Sequence, residues 1–173
     1  KKSVNSHSNI NYFVSPLVRK RIVMNNVSKK NSEEFWEKQG LKLYEGNHFS
    51  FVGSLSNSFD FNFIYEFSNF LISSFPDYKI VICGTGDRYE EIKVLFQNSR
   101  NTMIVGELDK HKSSILINNS IASLAPYQNS LNFKQSIPNK VIESLENSVP
   151  FITNTEGELK SMILKFNNGI FIK

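Results

Sequence analysis

The chain has 173 residues, of which 40% are hydrophobic and 21% charged, with a net charge of +4. This composition excludes a disordered polypeptide, and fifteen Phe and six Tyr supply a core. No run approaches the ~20 apolar residues of a membrane span. The first residues lack the apolar stretch of a secretion signal, and a single cysteine excludes a disulfide framework or a Cys-based zinc site. The expectation is one soluble, cytoplasmic globular domain. Much of the basic excess (Lys1, Lys2, Arg19, Lys20, Arg21, Lys29, Lys30) lies early in the chain and reads as a solvated surface rather than a nucleic-acid site.

Residues 1–30 are polar and weakly patterned, and Pro16 interrupts any helix over Ile10–Val18. Ser32 followed by Glu33 and Glu34 predicts a helix start, and Gly40 a stop. His48–Gly53 reads as a buried strand. Asp60 then caps a helix through Phe75, with Phe63, Ile64, Phe67, Phe70 and Leu71 on one face. Tyr78–Cys83 is a strand after the Pro76-Asp77 turn, and a helix follows over about Asp87–Phe96. Thr102–Val105 is a strand, Asp109 caps a helix to about Ile117, and Ile121–Ala125 is a strand ending at Pro126. Tyr127–Ile137 is a polar loop without periodicity. Pro138 is placed as the first residue of a helix, with Val141, Ile142 and Leu145 as its buried stripe. Val149–Thr153, Glu156–Phe166 and Gly169–Ile172 complete the pattern as strand, helix and strand.

Strands alternating with helices predict parallel βαβ units, that is, an α/β, Rossmann-like, doubly wound parallel sheet of about six strands. In such folds ligands lie at the C-terminal edge of the strands. That restricts a site to Gly53–Asp60, Gly84–Arg88, Gly106–Asp109, Pro126–Lys140 and Thr153–Glu158.

Gly84-Thr85-Gly86-Asp87 invites comparison with the dinucleotide fingerprint G-x-G-x-x-G, but Tyr89 stands at the third Gly position and Asp87 would face a pyrophosphate. A tight strand-to-helix turn is the plainer reading, and Cys83 before it reads as a small core residue. Pro138, Asn139 and Lys140 open a helix, where free N–H groups and the helix dipole favour an anion. Glu143 lies three residues on, on the same face as Lys140 and suited to accept hydrogen bonds from a ribose diol. An ordinary capped helix with an exposed Lys/Glu pair fits the same residues. His7, His48 and His111 sit at no metal-ligand spacing and read as surface or turn residues. The Phe-rich helix Phe59–Phe75 reads as core, and Trp36 as a packing residue.

The order of segments resembles the C-terminal half of a family-4 (group 1) glycosyltransferase of the GT-B fold, over about Phe49–Lys173 and more weakly through Tyr12–Asn26. Phe51-Val-Gly-Ser-Leu55 is similar to the first strand and Gly-rich loop of that half. Pro76 through Gly86 is similar to its second strand and G-x-G turn, and Asn101-Thr-Met-Ile-Val-Gly106 to the strand beside the base pocket. Pro138-Asn-Lys-Val-Ile-Glu-Ser-Leu145, then Val149-Pro-Phe-Ile152, resembles the P-N-K-x-x-E helix and following strand of transferases that build capsule, O-antigen and other surface polysaccharides. Gly157-Glu-Leu159 with Asn168-Gly169 resembles the close of the domain.

The resemblance implies that Glu143 binds the ribose of a nucleotide-diphosphate-sugar donor, UDP-sugar favoured over GDP-sugar. It implies that Pro138, Asn139 and Lys140 meet the diphosphate, with Ser136 also in the donor site, and that Gly53, Ser54 and Leu55 line the diphosphate from the opposite loop. Gly84 flanks this loop, and Gly106, Glu107 and Leu108 surround the base. Two departures stand out. Ser54 replaces the Arg that many members carry, with no Lys soon after, and Gln135 stands eight residues before Glu143 where a first Glu contacts the donor sugar. The catalytic group is therefore unassigned, with Gln135, Ser136 and Glu158 as sugar-side candidates. The length implies residues 1–48 as inter-domain connector and end of the preceding half, and 49–173 as the donor domain cut before its final helices. Expected partners are the nucleotide-sugar and, through the N-terminal domain of an intact retaining enzyme, a glycan or lipid-linked acceptor, with no nucleic acid. No cofactor and no metal are implied, and peripheral contact with the inner face of a membrane is compatible with the intact protein. A GT-B sugar-nucleotide epimerase fragment, or a non-catalytic nucleotide- or partner-binding Rossmann module, are the alternatives.

Overall fold

The computed structural model describes residues 24–173. The connector-like segment Tyr12–Pro16, the first basic residues and His7 lie outside them. Helix α1 (Asn26–Lys38) begins earlier than Ser32 predicts. Asn25 caps it, accepting from the Ser28 N–H at 2.8 Å. Ser32 is buried in mid-helix and its hydroxyl donates back to the Ser28 carbonyl. The first turns of α1 hold one apolar residue, the exposed Val27, so hydrophobic spacing carries no signal there.

After a 3-10 turn at Leu43–Glu45 come β1 (His48–Val52), α2 (Phe61–Ser74), β2 (Lys79–Cys83), α3 (Tyr89–Phe96) and β3 (Thr102–Val105). They are followed by α4 (Lys110–Asn118), β4 (Ser123–Leu124), α5 (Leu131–Lys134) and α6 (Asn139–Glu146). Finally come β5 (Phe151–Thr153), α7 (Glu158–Phe166) and β6 (Gly169–Phe171). The six strands form one parallel sheet in the order β3-β2-β1-β4-β5-β6. This is the doubly wound sheet expected from the alternation. The segment read as featureless between Tyr127 and Ile137 contains the single turn α5, too short for a periodic signal. Strand β4 is shorter than predicted, although the Ile121 and Ala125 N–H groups still bond to the His48 and Ile152 carbonyls.

Right-handed crossovers place α2 and α3 on one face of the sheet and α4, α6 and α7 on the other. On the first face Phe49, Phe51, Ile80 and Ile82 meet Phe61, Ile64 and Leu71 of α2 and Ile92 and Phe96 of α3. On the second, Val81 and Cys83 pack with Ile115 and Leu116 of α4 and Trp36 of α1. The buried stripe of α2 is Phe61, Ile64, Ser68 and Leu71, so Phe70 is half-exposed rather than core as predicted. On the α2 face β5 and β6 carry no helix among the described residues. A groove of about 410 Å³ runs there between Phe67 and Phe70 of α2 and Ile152 and Ile170 of the sheet.

His48 corrects the expectation of a surface or turn residue. It is fully buried on β1, with Nε2 3.3 Å from the Leu116 carbonyl and Nδ1 without a partner. Burial holds its pKa below the usual 6.5. Residue-type preference assigns an imidazole to the surface, whereas its place on the central strand β1 buries it.

Candidate functional site

The strand order reverses between β1 and β4, and the crevice at a reversal point is where such sheets bind ligands. Pairing of β1 with β2 continues past the strand ends. The Gly53 N–H donates to the Cys83 carbonyl and the Leu55 N–H to the Thr85 carbonyl, both at 2.9 Å, and the Arg88 N–H returns to the Leu55 carbonyl at 3.0 Å. Gly84 permits this closeness, since a Cβ there would collide with the Gly53 carbonyl oxygen. The Gly84-Thr85-Gly86 turn therefore packs against the neighbouring loop. It also brings Gly84 against β3, its N–H reaching the Val105 and Gly106 carbonyls at 3.1 Å.

This zippering sorts the residues after β1. Gly53 and Leu55 spend their N–H groups on the 83–85 loop, and the Leu55 side chain is fully buried. Ser54 between them is exposed, and alternation turns its N–H away from that loop. A depression of about 340 Å³ opens here, lined by Val52, Gly53, Ser54 and Cys83 on one side and by Gly84, Thr85, Glu107 and Leu108 on the other. Five of the residues singled out from sequence thus meet in one place: Gly53, Ser54, Gly84, Glu107 and Leu108. The Cys83 thiol in its floor is buried and pushed up to about 12, so it is inert.

Helix α6 abuts this depression. Pro138 is its N-cap rather than its first helical residue, and no side chain caps the helix. Lys140 joins the two parts, its Nζ donating to the Val52 carbonyl. The same nitrogen lies 3.8 Å from the Phe51 ring centroid and 5.2 Å from that of Phe59. Burial drives its pKa down to about 7, with Glu143 and then Cys83 pulling the other way. Lys140 is thus no exposed surface cation, and the reading of an exposed Lys/Glu pair does not hold. Glu143 is half-buried one turn behind it. Sequence reasoning missed the aromatic floor of Phe51 and Phe59. Half of its signal lies in the alternation of β1, which turns Phe51 to one known side of the sheet.

The surrounding loops are tied together. Phe59 and Tyr127 form an antiparallel bridge, with the Gln128 N–H donating to the Ser58 carbonyl at 3.0 Å and the Asp60 N–H to the Pro126 carbonyl at 2.7 Å. The Thr155 hydroxyl donates to the Tyr127 carbonyl at 2.8 Å, and Lys134 pairs with Glu156 at 3.8 Å. Arg88 is engaged by Glu91 and the Phe59 carbonyl. Gln135, Ser136 and Glu158 are all exposed and none of them lines the depression. Gln135 ends α5 through its own N–H, and the Ser136 hydroxyl donates to the Asn132 carbonyl at 2.8 Å. Asn139 is exposed at the α6 start. Among the described residues no three His, Cys, Asp or Glu gather as a metal site would require, and no helix is long and apolar enough to cross a membrane.

Similar architectures occur among solved structures. WaaG, a glycosyltransferase involved in lipopolysaccharide biosynthesis, superposes with a TM-score of 0.61 at 17% identity, over 86% of this chain and 38% of that one. A point mutant of S. aureus TarM, solved with fondaparinux, α-GlcNAc-glycerol and UDP, gives 0.60 at 13% identity, over 74% of this chain and 25% of that one. The pneumococcal O-GlcNAc transferase GtfA, in complex with UDP and GlcNAc, gives 0.59 at 13%, over 73% and 24%. The chain thus spans between about a quarter and two-fifths of these proteins, and at such identities the likeness is one of fold. No curated protein matches the sequence significantly. The sequence model of the family described as glycosyl transferases group 1 matches residues 32–173, and the fold is that of one Rossmann-like half of a GT-B enzyme. The chain belongs to the group 1 glycosyltransferases.

Proposed function

We propose that this chain is the donor-binding half of a retaining, hexosyltransferase-type glycosyltransferase acting in the cytoplasm in the biosynthesis of capsule, O-antigen or another surface polysaccharide. The donor is a nucleoside-diphosphate sugar, UDP in preference to GDP. UDP accompanies both TarM and GtfA in their solved complexes, and WaaG serves lipopolysaccharide biosynthesis. The observation that carries the reading is the meeting of the uncapped α6 N-terminus with the Gly53-Ser54 rim at the reversal point of the sheet.

When the bond to the anomeric carbon breaks, negative charge collects on the departing diphosphate. The Asn139 and Lys140 N–H groups and the helix dipole are fixed in advance to receive it. Ser54 offers its N–H and hydroxyl from the facing loop. Glu143 accepts hydrogen bonds from the ribose diol, and the Gly106-Glu107-Leu108 backbone flanks the base. Gln135 and Glu158 act on the sugar side. A glycan or lipid-linked acceptor is held by a further domain of the intact enzyme, at the inner membrane surface where the acceptor is a lipid. Alone, this chain binds donor without turnover.

Calorimetric titration of the chain with UDP, GDP and their sugars tests this. Saturable binding of UDP, weakened in Glu143→Ala and Ser54→Pro, is the expected result. Absence of binding by every nucleotide would overturn it in favour of a non-catalytic interaction module.

A further inference from the structure

The chain is rich in Asn, and an Asn followed by a small residue can lose its side-chain amide to the backbone. The nitrogen of the next residue attacks Cγ, and ammonia leaves with Nδ2. Water then opens the succinimide to aspartate or isoaspartate. The first step needs that N–H free of other partners and a backbone able to turn. Among the described residues Asn precedes Ser six times and Gly once, at Asn168-Gly169.

The fold closes the six Asn-Ser sites. Ser32 lies inside α1. The N–H groups of Ser99, Ser120 and Ser148 donate to the Phe96, Ile117 and Leu145 carbonyls at 2.9, 3.0 and 2.9 Å. That of Ser130 donates to the Gln128 carbonyl at 2.7 Å, and that of Ser58 to the Ser56 hydroxyl at 3.4 Å.

Asn168-Gly169 is built the other way. Strand β6 ends the sheet and pairs only with β5. In that register the Asn168 carbonyl accepts from the Phe151 N–H at a long 3.4 Å, and the Ile172 N–H donates to the Thr153 carbonyl at 3.0 Å. Alternation therefore turns the Gly169 N–H away from β5, to the open edge. Asn168 itself lies between α7 and β6, next to Asn167 with its left-handed backbone. Its Oδ1 is buried without a hydrogen-bond partner, so no donor of the described chain holds that oxygen in place. Nor can the glycine be exchanged, since a Cβ there would stand 2.4 Å from the Phe151 carbonyl oxygen. The packing of β6 on β5 thus demands the very residue that makes its neighbour labile.

We infer that Asn168 is a site of spontaneous deamidation in the folded protein, with the Gly169 nitrogen as the attacking group. A carboxylate then replaces the carboxamide where the chain offers Oδ1 no donor, which loosens the start of β6 from Phe151. At the Asn-Ser sites the N–H must first leave its hydrogen bond, which slows attack by about fivefold for a bond of ordinary net strength. Asn168 therefore converts at least that much faster than any of them.

The test incubates the full folded chain at mildly alkaline pH and locates the new acids by fragmentation mass spectrometry. Labelling with an isoaspartyl methyltransferase gives a second readout. Conversion is expected first at Asn168, with the label absent in Asn168→Ser. Its rate should stay level through urea concentrations below the unfolding transition, because the edge N–H is already open in the native state. A rate that climbs with the unfolded population overturns the inference. So does an Asn-Ser site that converts as fast, or an Asn168 that converts only in the unfolded chain. Asn168→Asp reads the consequence separately: its urea midpoint should fall below that of the unaltered chain. An unchanged midpoint overturns the loosening of β6.

Discussion

The indole Nε1 of Trp36 donates a 3.1 Å hydrogen bond to the backbone carbonyl of Lys112, tying α1 to α4 across 76 residues of chain. The ring is fully buried and meets Phe35 edge-on at 5.1 Å, and the Lys112 ammonium lies 4.8 Å from the Phe35 ring. Residues before the first strand are therefore packed into the sheet's outer layer by a large side chain with its one polar atom satisfied. Trp36→Ala should cost about 3–5 kcal/mol, the range for a truncated core aromatic. Trp36→Phe should cost about 1–2 kcal/mol, since it removes the indole hydrogen bond and leaves part of the ring's space unfilled. Urea unfolding followed by far-ultraviolet circular dichroism measures both. A loss below about 1 kcal/mol for the alanine variant would mean that α1 is not part of the cooperative unit.

Asp60 works at two levels. Its Oδ1 caps α2 by accepting from the Phe63 N–H at 3.2 Å, and its Oδ2 accepts from Asn154 Nδ2 at 3.1 Å. The cap belongs to the helix, whereas the second bond joins the loop after β1 to the loop after β5. Asp60→Ala should lose about 1–2 kcal/mol from the cap and the tie together. Asp60→Ser keeps a capping oxygen but cannot also reach Asn154, and should recover about half. Equal losses in the two variants would show that the cap contributes nothing.

Much of this is legible in the sequence, and the parts that are not share a cause. Asp60 and Asp109 announce helix starts because a short acceptor before an apolar stripe has few other roles, and both accept from first-turn N–H groups. The strand Thr102–Val105 matches residue for residue. The loops after β1, β2 and β3 can be read as the ligand edge because strand alternation needs only nearest neighbours in sequence. The start of α1 escapes such reading because Asn25–Asn31 has polar residues on nearly all sides. Lys140 reads as exposed because its burial depends on β1, which it meets at Val52, 88 residues earlier in the chain. No local pattern encodes a contact of that span. Whether Ser54, Gln135 and Glu158 touch a donor is equally a question of loop placement, on which spacing is silent.

His48 sets a pH dependence. Its folded-state pKa lies below the unfolded 6.5 because burial penalises the imidazolium, so the unfolded chain binds more protons than the folded one on the acid side of that value. The stability tied to a neutral His48 is fully present above pH 6.5 and is lost progressively as pH falls below it. Carboxylates held low by partners, Glu91 by Arg88 and Asp109 by Lys112, act only below their ordinary values of 4.5 and 3.8. Below about pH 6.5 Lys140 is charged in the folded and unfolded chain alike, so urea midpoints between about pH 6.5 and 5 isolate the histidine. They should decline in the unaltered chain and stay level in His48→Gln. An equal slope in both would assign the decline elsewhere.

Gly84 and Gly106 separate packing from tolerance at the rim of the depression. A Cβ on Gly84 collides with the Gly53 carbonyl oxygen, backbone that cannot step aside without breaking the Gly53 and Leu55 hydrogen bonds to the 83–85 loop. A Cβ on Gly106 meets nothing within 4 Å. Gly84→Ala should therefore destabilise by about 2 kcal/mol or more and weaken UDP binding, because it shifts the segment that presents Ser54. Gly106→Ala should fold within about 0.5 kcal/mol of the unaltered chain. If Gly106→Ala nonetheless loses UDP affinity, the empty space over that residue is where the base lies, and the loss belongs to ligand contact and not to the fold. If Gly84→Ala is as stable as the unaltered chain, the zippering of the two loops does not govern the shape of the site.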